Sequence, residues 1–252
     1  MLIEDCEPNT WQELEDWVTR ILSEAGFRAQ RGRALETARG SVNVDVVAFD
    51  DAITPPVLTF FECKYWKEPV TQTVVHAFRT IVIDSGANTG LIVSRRGFQS
   101  GAEAAAQFSN IRLLDWCEFQ ELYAERWISK YMNRQVSSAL DPLHEYTGLG
   151  NSRISQTADA LPQPARDEFR RLCEKHSAAV TTLTVMFSDV VLGITRGPLS
   201  LPLRTVTLDY GQDAMFPNSI LDAPALRPLL QAIIEYAAST TKSFDDVFGG
   251  RA

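Results

Sequence analysis

The stretch VLTFFECKYWKEPV (Val57–Val70) places a glutamate and a lysine two residues apart in what otherwise reads as a buried β-strand. Charges inside a strand cost free energy unless they face a partner, a metal or water. Side chains alternate along a strand, so Leu58, Phe60, Glu62 and Lys64 share one face and Phe61, Cys63 and Tyr65 the other. The two charges therefore point the same way. Taken alone, Glu-x-Lys also fits a cross-strand ion pair on a solvated face. Phe60, Phe61, Tyr65 and Trp66 enclose the pair in aromatic bulk, which suits a semi-buried site better.

The preceding run SVNVDVVAF (Ser41–Phe49) reads as a second strand, joined to the first by the turn-rich DDAITPP. Asp45 is the lone acid among its valines, and a β-hairpin brings it beside Glu62. Two carboxylates with a lysine next to them make a compact site for a hard cation, since magnesium is held by one or two carboxylates plus waters and phosphate oxygens. A desolvated ammonium there helps to orient or deprotonate a water and offsets phosphate charge.

Working outward, Trp11, Leu14, Trp17, Val18, Ile21, Leu22 and Ala25 follow helical spacing, and Gly26 stands where a C′ glycine ends a helix. Thr10-x-x-Glu13 has the form of a capping box at its start. After the hairpin come a helix carrying Val74, Val75, Phe78, Ile81 and Val82, the strand TGLIVSR, a helix from GFQSGAEAAAQF, the strand IRLL and the long helix WCEFQELYAERWISKYM. Helix, strand, strand, helix, strand, helix, strand implies an α/β layer structure with a mixed sheet. Arg28, Arg31, Arg33 and Arg39 read as one basic loop, and Arg95 and Arg96 as another.

The rest is less regular. Residues 133–152 (including SSALDPLHEYTGLG) read as a linker between a first domain, 1–132, and a C-terminal domain, 153–252, of α/β or α+β type. In the latter PARDEFRRLCEKH and APALRPLLQAIIEYAAS read as helices, VTTLTVMFSDVVLGI and LPLRTVTLDY as strands, and the tail TTKSFDDVFGGRA as loose.

The 252 residues, 45% hydrophobic and 22% charged, suffice for a sizeable core. The formal net charge of -8 argues against coating nucleic acid by bulk attraction. The acidity lies in residues 1–128, with 12 basic against 19 acidic side chains, while the remainder has 12 against 13. A bound divalent cation reverses the local sign of such a carboxylate-rich region. The four cysteines show neither CxxC nor zinc-type His spacing and read as free thiols. No secretory leader and no apolar run near the roughly 18 residues of a membrane span are apparent, so a cytoplasmic location is expected.

Asp45 with Glu62-Cys63-Lys64, set among the helix WQELEDWVTRILSEAGF, the strands VNVDVVAF and FFECKYWKEPV, and TGLIVSRRGFQSGAEAAA, resembles the PD-(D/E)xK nuclease core over residues 10–125, in its Mrr-like restriction endonuclease branch. The resemblance implies a restriction-endonuclease-like core, a central mixed sheet flanked by helices. It also implies metal-dependent hydrolysis of DNA phosphodiesters with Mg²⁺, for which Mn²⁺ substitutes. Asp45 and Glu62 match the metal-binding carboxylates and Lys64 the catalytic lysine. A further glutamate often stands on the first helix of such nucleases, and here Glu13 and Glu15 compete. The capping box already accounts for Glu13, whereas Glu15 falls at the margin of the buried stripe and is the better candidate, with a rim salt bridge as its alternative. Gln72, with His76 four residues on, and Ser94, Arg95 and Arg96 are candidate DNA contacts. The expectation is a homo-oligomeric endonuclease of prokaryotic restriction or anti-phage defence. The alternatives are an effector switched on when a regulatory partner or ligand engages residues 153–252, or a nucleic-acid-binding module without catalysis.

Overall fold

The computed structural model describes residues 1–37, 40–148, 152–188, 199–205 and 215–249. Helix α1 (Trp11–Glu24) buries Leu14, Glu15, Val18, Ile21 and Leu22 along one stripe. Thr10 Oγ1 accepts the Glu13 N–H at 3.1 Å, and Glu13 Oε2 accepts the Asn9 N–H at 2.7 Å, one amide before the cap. The helix stops in a Schellman motif. Gly26, at φ +84°, donates to Ser23 O and Phe27 donates to Leu22 O.

Five strands follow, β1 (Arg28–Thr37), β2 (Gly40–Asp50), β3 (Val57–Lys64), β4 (Thr89–Ser94) and β5 (Ile111–Asp115), lying in chain order within one sheet. β1, β2 and β3 are antiparallel neighbours, and β4 and β5 continue the sheet parallel to β3. Helices α2 (Gln72–Asp84), α3 (Ser100–Ala106) and α4 (Trp116–Trp127) alternate with the later strands. The alternation of β3 is visible in its packing. Phe60 joins Val75, Phe78, Val82, Ile92 and Ala102 in the core beneath α2 and α3. Phe61 meets Phe119 of α4 edge-on at 6.2 Å on the other side. Each buried phenylalanine contributes about 1.5–3 kcal/mol. Gly90 is dictated by close approach: a Cβ there would stand 2.7 Å from Phe78, Val82 and Ile111.

This is the restriction-endonuclease-like core expected, but β1 corrects one reading. Arg28, Arg31 and Arg33 lie on a strand and not in a loop, and Arg39 lies outside the described residues. The end of β2 holds a second feature that the sequence did not reveal. Asp50, buried, receives both Nη atoms of Arg126, the Nη2 bond being 2.8 Å, while Arg126 Nε donates to Ala25 O at 2.8 Å. The guanidinium lies 3.8 Å from the Phe27 ring centroid. One side chain of α4 thereby ties down the ends of α1 and β2.

The chain divides into two compact units, one of Leu2 and Cys6–Tyr131, the other of Met1, Ile3–Asp5 and Met132–Ala252. Among its described residues the second unit is helical: α5 (Asn133–Thr147), α6 (Ser152–Asp159), α7 (Gln163–Met186), the single turn α8 (Asn218–Leu221) and α9 (Leu226–Val247). This corrects several expectations. The segment read as an irregular linker is helix α5 as far as Thr147, because Val136, Leu140 and Leu143 recur at helical spacing and are buried in spite of Pro142. VTTLTVMF lies in α7 and its following turn, not in a strand, since Leu172, His176, Ala179, Val180 and Leu183 form one buried stripe that overrides β-branched propensity. Leu203–Thr205 is a 3₁₀ turn where a strand was expected. The rest of that expected strand, 206–210, and 189–194 of the other lie outside the described residues. Most of the tail read as loose belongs to α9, anchored by Phe244 stacked on Tyr146 at 4.7 Å.

Candidate active site

The β2–β3 ladder runs from Asp50↔Val57 to Val46↔Phe61. One step further, Asp45 would face Glu62. There the Asp45 side chain takes over the role of a ladder acceptor: Oδ2 receives the Cys63 N–H at 2.7 Å. On its other flank, Arg31↔Val46 and Arg33↔Val44 bracket Gly32, whose φ of +63° interrupts regular strand geometry opposite Asp45. A Cβ on Gly32 would meet nothing within 4 Å, so backbone conformation and not space favours glycine there. Asp45 is thus tethered to the middle residue of Glu62-Cys63-Lys64 where two strands part.

Glu62 and Lys64 form an ion pair on their shared face of β3, with side chains 19% and 15% exposed. The Lys64 ammonium also lies 5.4 Å from the Trp66 ring centroid. Burial pushes the Glu62 carboxyl above its ordinary range, the Asp45 charge pushes it further, and Lys64 opposes both. Cys63 points into the opposite layer, buried. Burial raises its thiol well above the usual value, and the charges of Asp45, Glu15 and Glu62 add to this, which disfavours the thiolate.

Glu15 of α1 belongs to the same cluster. Burial raises its pKa, a hydrogen bond from Arg31 lowers it, and the Asp45 charge raises it again. Arg31 Nε donates to Glu15 Oε2 at 2.8 Å and Nη1 to Asp16 Oδ1 at 2.7 Å. Sequence reasoning missed this arginine because it placed β1 in a loop. The available signal was Arg31 and Arg33 at strand spacing in RAQRGRALET, across from an acidic helix.

The remaining candidates separate into two groups. Parallel pairing places Lys64, Ser94 and Asp115 side by side at one edge of the sheet. Ser94 is buried there, its hydroxyl donating to Gly97 O at 3.0 Å and accepting the Arg96 N–H at 3.3 Å. It shapes the turn that presents Arg95 and Arg96, both exposed. Arg95 N donates to Lys64 O at 3.0 Å, and its guanidinium lies 4.5 Å from the Tyr65 ring centroid. Lys67, Arg95 and Arg96, with Glu68 and Asp115, line an open depression of about 550 Å³. Gln72 and His76 are exposed on α2, Gln72 lying against Gly101 of α3. No described hydrogen bond joins either to the carboxylates.

The donor set suits a hard divalent cation of low protein coordination number. Asp45 and Glu62 could offer it two carboxylates whose charges disfavour each other, a penalty that a cation between them would relieve. Among the described residues no group of three or more His, Cys, Asp and Glu side chains is set to hold a metal. Glu15 is engaged by Arg31.

Residues 7–123 match the family model Mrr_cat, described as "Restriction endonuclease". They form a restriction-endonuclease domain of the Mrr-like PD-(D/E)xK type. No curated protein matches the sequence significantly. A solved structure titled "Crystal Structure of Protein of Unknown Function AF1548" is similar at 18% identity, covering 68% of this chain and 98% of its own, with a TM-score of 0.37. That likeness is too slight to bear on the fold.

Proposed function

We propose that this domain hydrolyses DNA phosphodiester bonds as a Mg²⁺-dependent endonuclease, with Mn²⁺ able to substitute. The observation that carries the reading is the convergence of Asp45, Glu62 and Lys64 where the β2–β3 ladder ends. Asp45 and Glu62 would hold the cation. When bound, it supplies Lewis-acid polarisation of phosphoryl oxygens and activation of water. Lys64 holds its ammonium beside Glu62, where it orients the attacking water and offsets charge developing on the phosphate. Trp66 flanks that ammonium, its ring centroid 5.4 Å away. Arg95 and Arg96 take neighbouring backbone phosphates, which position DNA without reading its sequence.

The domain carries one such site, and cutting both strands of a duplex takes two, which supports action as a homo-oligomer. Free thiols at all four cysteines support a reducing, cytoplasmic setting, and no helix among the described residues is long and apolar enough to cross a membrane. Restriction or anti-phage defence is the role we assign, on the strength of the family.

A second reading has its own support. Residues 132–252 lie beyond the matched family domain and form most of a separate unit, which suits a regulatory partner or ligand. Plasmid cleavage with Mg²⁺ or Mn²⁺ tests both. Wild type is expected to nick or linearise plasmid, and Lys64→Ala to lower the rate by about 10²-fold or more while remaining folded. Full activity in Lys64→Ala would overturn the site. A wild type active only with an added factor would favour the effector reading.

A further inference from the structure

Helix α9 carries a hydroxyl-bearing face beside its buried one. Leu229, Leu230, Ile233, Ala237 and Phe244 are apolar and buried, as a core stripe should be. Tyr236, Ser239, Thr240 and Ser243 follow at i, i+3, i+4 and i+7, so four hydroxyls share a second face. They border a cavity of about 420 Å³, within the size range of small-molecule sites. Lys175 and His176 of α7 and the segment Met215–Pro217 complete its walls.

The chemistry of that lining is one-sided. His176 is only 8% exposed, and its Nδ1 lies 2.8 Å from the Tyr236 hydroxyl. Burial lowers the His176 pKa and pushes the Tyr236 phenol up to about 12, so both groups are neutral at pH 7. In the tautomer in which the Tyr236 hydroxyl donates to Nδ1, the neutral imidazole carries its hydrogen on Nε2 and offers a donor at the other edge of the ring. The Lys175 ammonium adds three donors. Ser239 and Ser243 now donate to Tyr236 O and Ser239 O at 3.0 and 3.1 Å, and a χ1 rotation turns either hydroxyl toward a ligand. Among the described residues no carboxylate lines the cavity. Phe216, Met215 and the Tyr236 ring supply apolar wall suited to a flat body.

We infer that the C-terminal unit binds a small organic oxyanion in this cavity, a phosphate or carboxylate carried on a flat unsaturated body. The site is independent of the nuclease assignment and stands or falls without it. The test uses the full chain and four probes: adenosine 5′-monophosphate, benzoate, inorganic phosphate and adenosine. Thermal unfolding and isothermal titration report binding. Adenosine monophosphate or benzoate is expected to raise the Tm and bind with one-to-one stoichiometry. Phosphate, lacking the flat body, and adenosine, lacking the charge, bind more weakly. Lys175→Ala should weaken the bound probe by about tenfold or more, since a charge-assisted bond is lost, and Lys175→Arg should restore much of it. Ser239→Leu, at an exposed position, should fill the cavity and abolish binding. Arg95→Ala with Arg96→Ala should leave it unchanged. Absence of a response to all four probes would overturn the inference. So would binding that survives both Lys175→Ala and Ser239→Leu, or that disappears in the Arg95 and Arg96 variant, because the anion would then sit elsewhere.

Discussion

Asp45 does two separable things, and comparing two substitutions distinguishes them. Its Oδ2 accepts the Cys63 N–H at 2.7 Å, and its charge raises the cost of ionising Glu62 and Glu15. Asp45→Asn and Asp45→Ala both remove the charge, so the electrostatic change is common to the pair. Only alanine also removes the acceptor. An amide left without a partner in a half-buried site costs about 1–3 kcal/mol. The asparagine variant should therefore be more stable than the alanine variant by roughly 2 kcal/mol, and no less stable than wild type, because it keeps a bond while shedding a like-charge contact. With a urea m-value of about 2 kcal/mol/M, the midpoints of the two variants should differ by about 1 M. Cleavage should fall by about 10²-fold or more in both, since each loses the carboxylate proposed to hold the cation. Equilibrium urea unfolding, followed by the aromatic fluorescence of the nuclease unit, reads stability, and plasmid cleavage in Mg²⁺ reads activity. Equal midpoints for the two variants would refute the tether. An active Asp45→Asn protein would refute the catalytic assignment. An inactive variant more stable than wild type would mark Asp45 as a residue kept for chemistry at a cost to the fold.

Three further outcomes are expected. Arg126→Ala leaves the buried Asp50 carboxylate with the Ala52 N–H but without its guanidinium partner and should destabilise the protein by about 3 kcal/mol in urea unfolding. The hydrogen bond from Arg126 holds the Asp50 pKa below its ordinary value, so the pair's contribution is full above the unfolded value of 3.8 and lost as pH falls through the folded one; the gap between wild type and Arg126→Ala should shrink in that acid window. Arg95→Ala and Arg96→Ala should each reduce the slope of log affinity against log salt for duplex DNA by about 0.9, with little dependence on DNA sequence, and an unchanged slope would remove that arginine from the interface. Glu15→Gln should weaken Mn²⁺ binding, measured by electron paramagnetic resonance, by about tenfold or more if this carboxylate supports the metal, whereas unaltered binding would leave Glu15 a purely structural partner of Arg31.

How far the sequence disclosed these features depended on whether a local period carried them. The face shared by Glu62 and Lys64 follows from strand alternation, and Asp45 from being the only acid in a valine run. Both survive in the structure because a buried central strand cannot slip its register without turning Phe60 and Phe61 out of their layers. The first helix was legible for a similar reason, its start and stop being written in Thr10 and Gly26. β1 was not legible, because a strand at the edge of a sheet tolerates charge, and the partner that makes sense of Arg31, Glu15, is 16 residues away on another element. Asp50 and Arg126 lie 76 residues apart, and no local pattern joins them. In the C-terminal unit the signal was present but the wrong period was favoured: Val180, Thr181, Thr182, Thr184 and Val185 look like strand residues one by one, yet the spacing from Leu172 to Leu183 is that of a helix.

The same distinction explains why Asp45, Glu62 and Lys64 stand out in the sequence while the side chains around them do not. Asp45, Glu62 and Lys64 violate their surroundings, charges among valines and aromatics, and such a violation is visible in one dimension. Arg31, Ser94 and Arg126 satisfy theirs: each is a polar side chain bonded to a partner that folding brings to it. Nothing in a linear sequence distinguishes a satisfied polar residue from a solvated one. The pairing of strands makes the difference, and it is the step that turns a pattern of charges into a site.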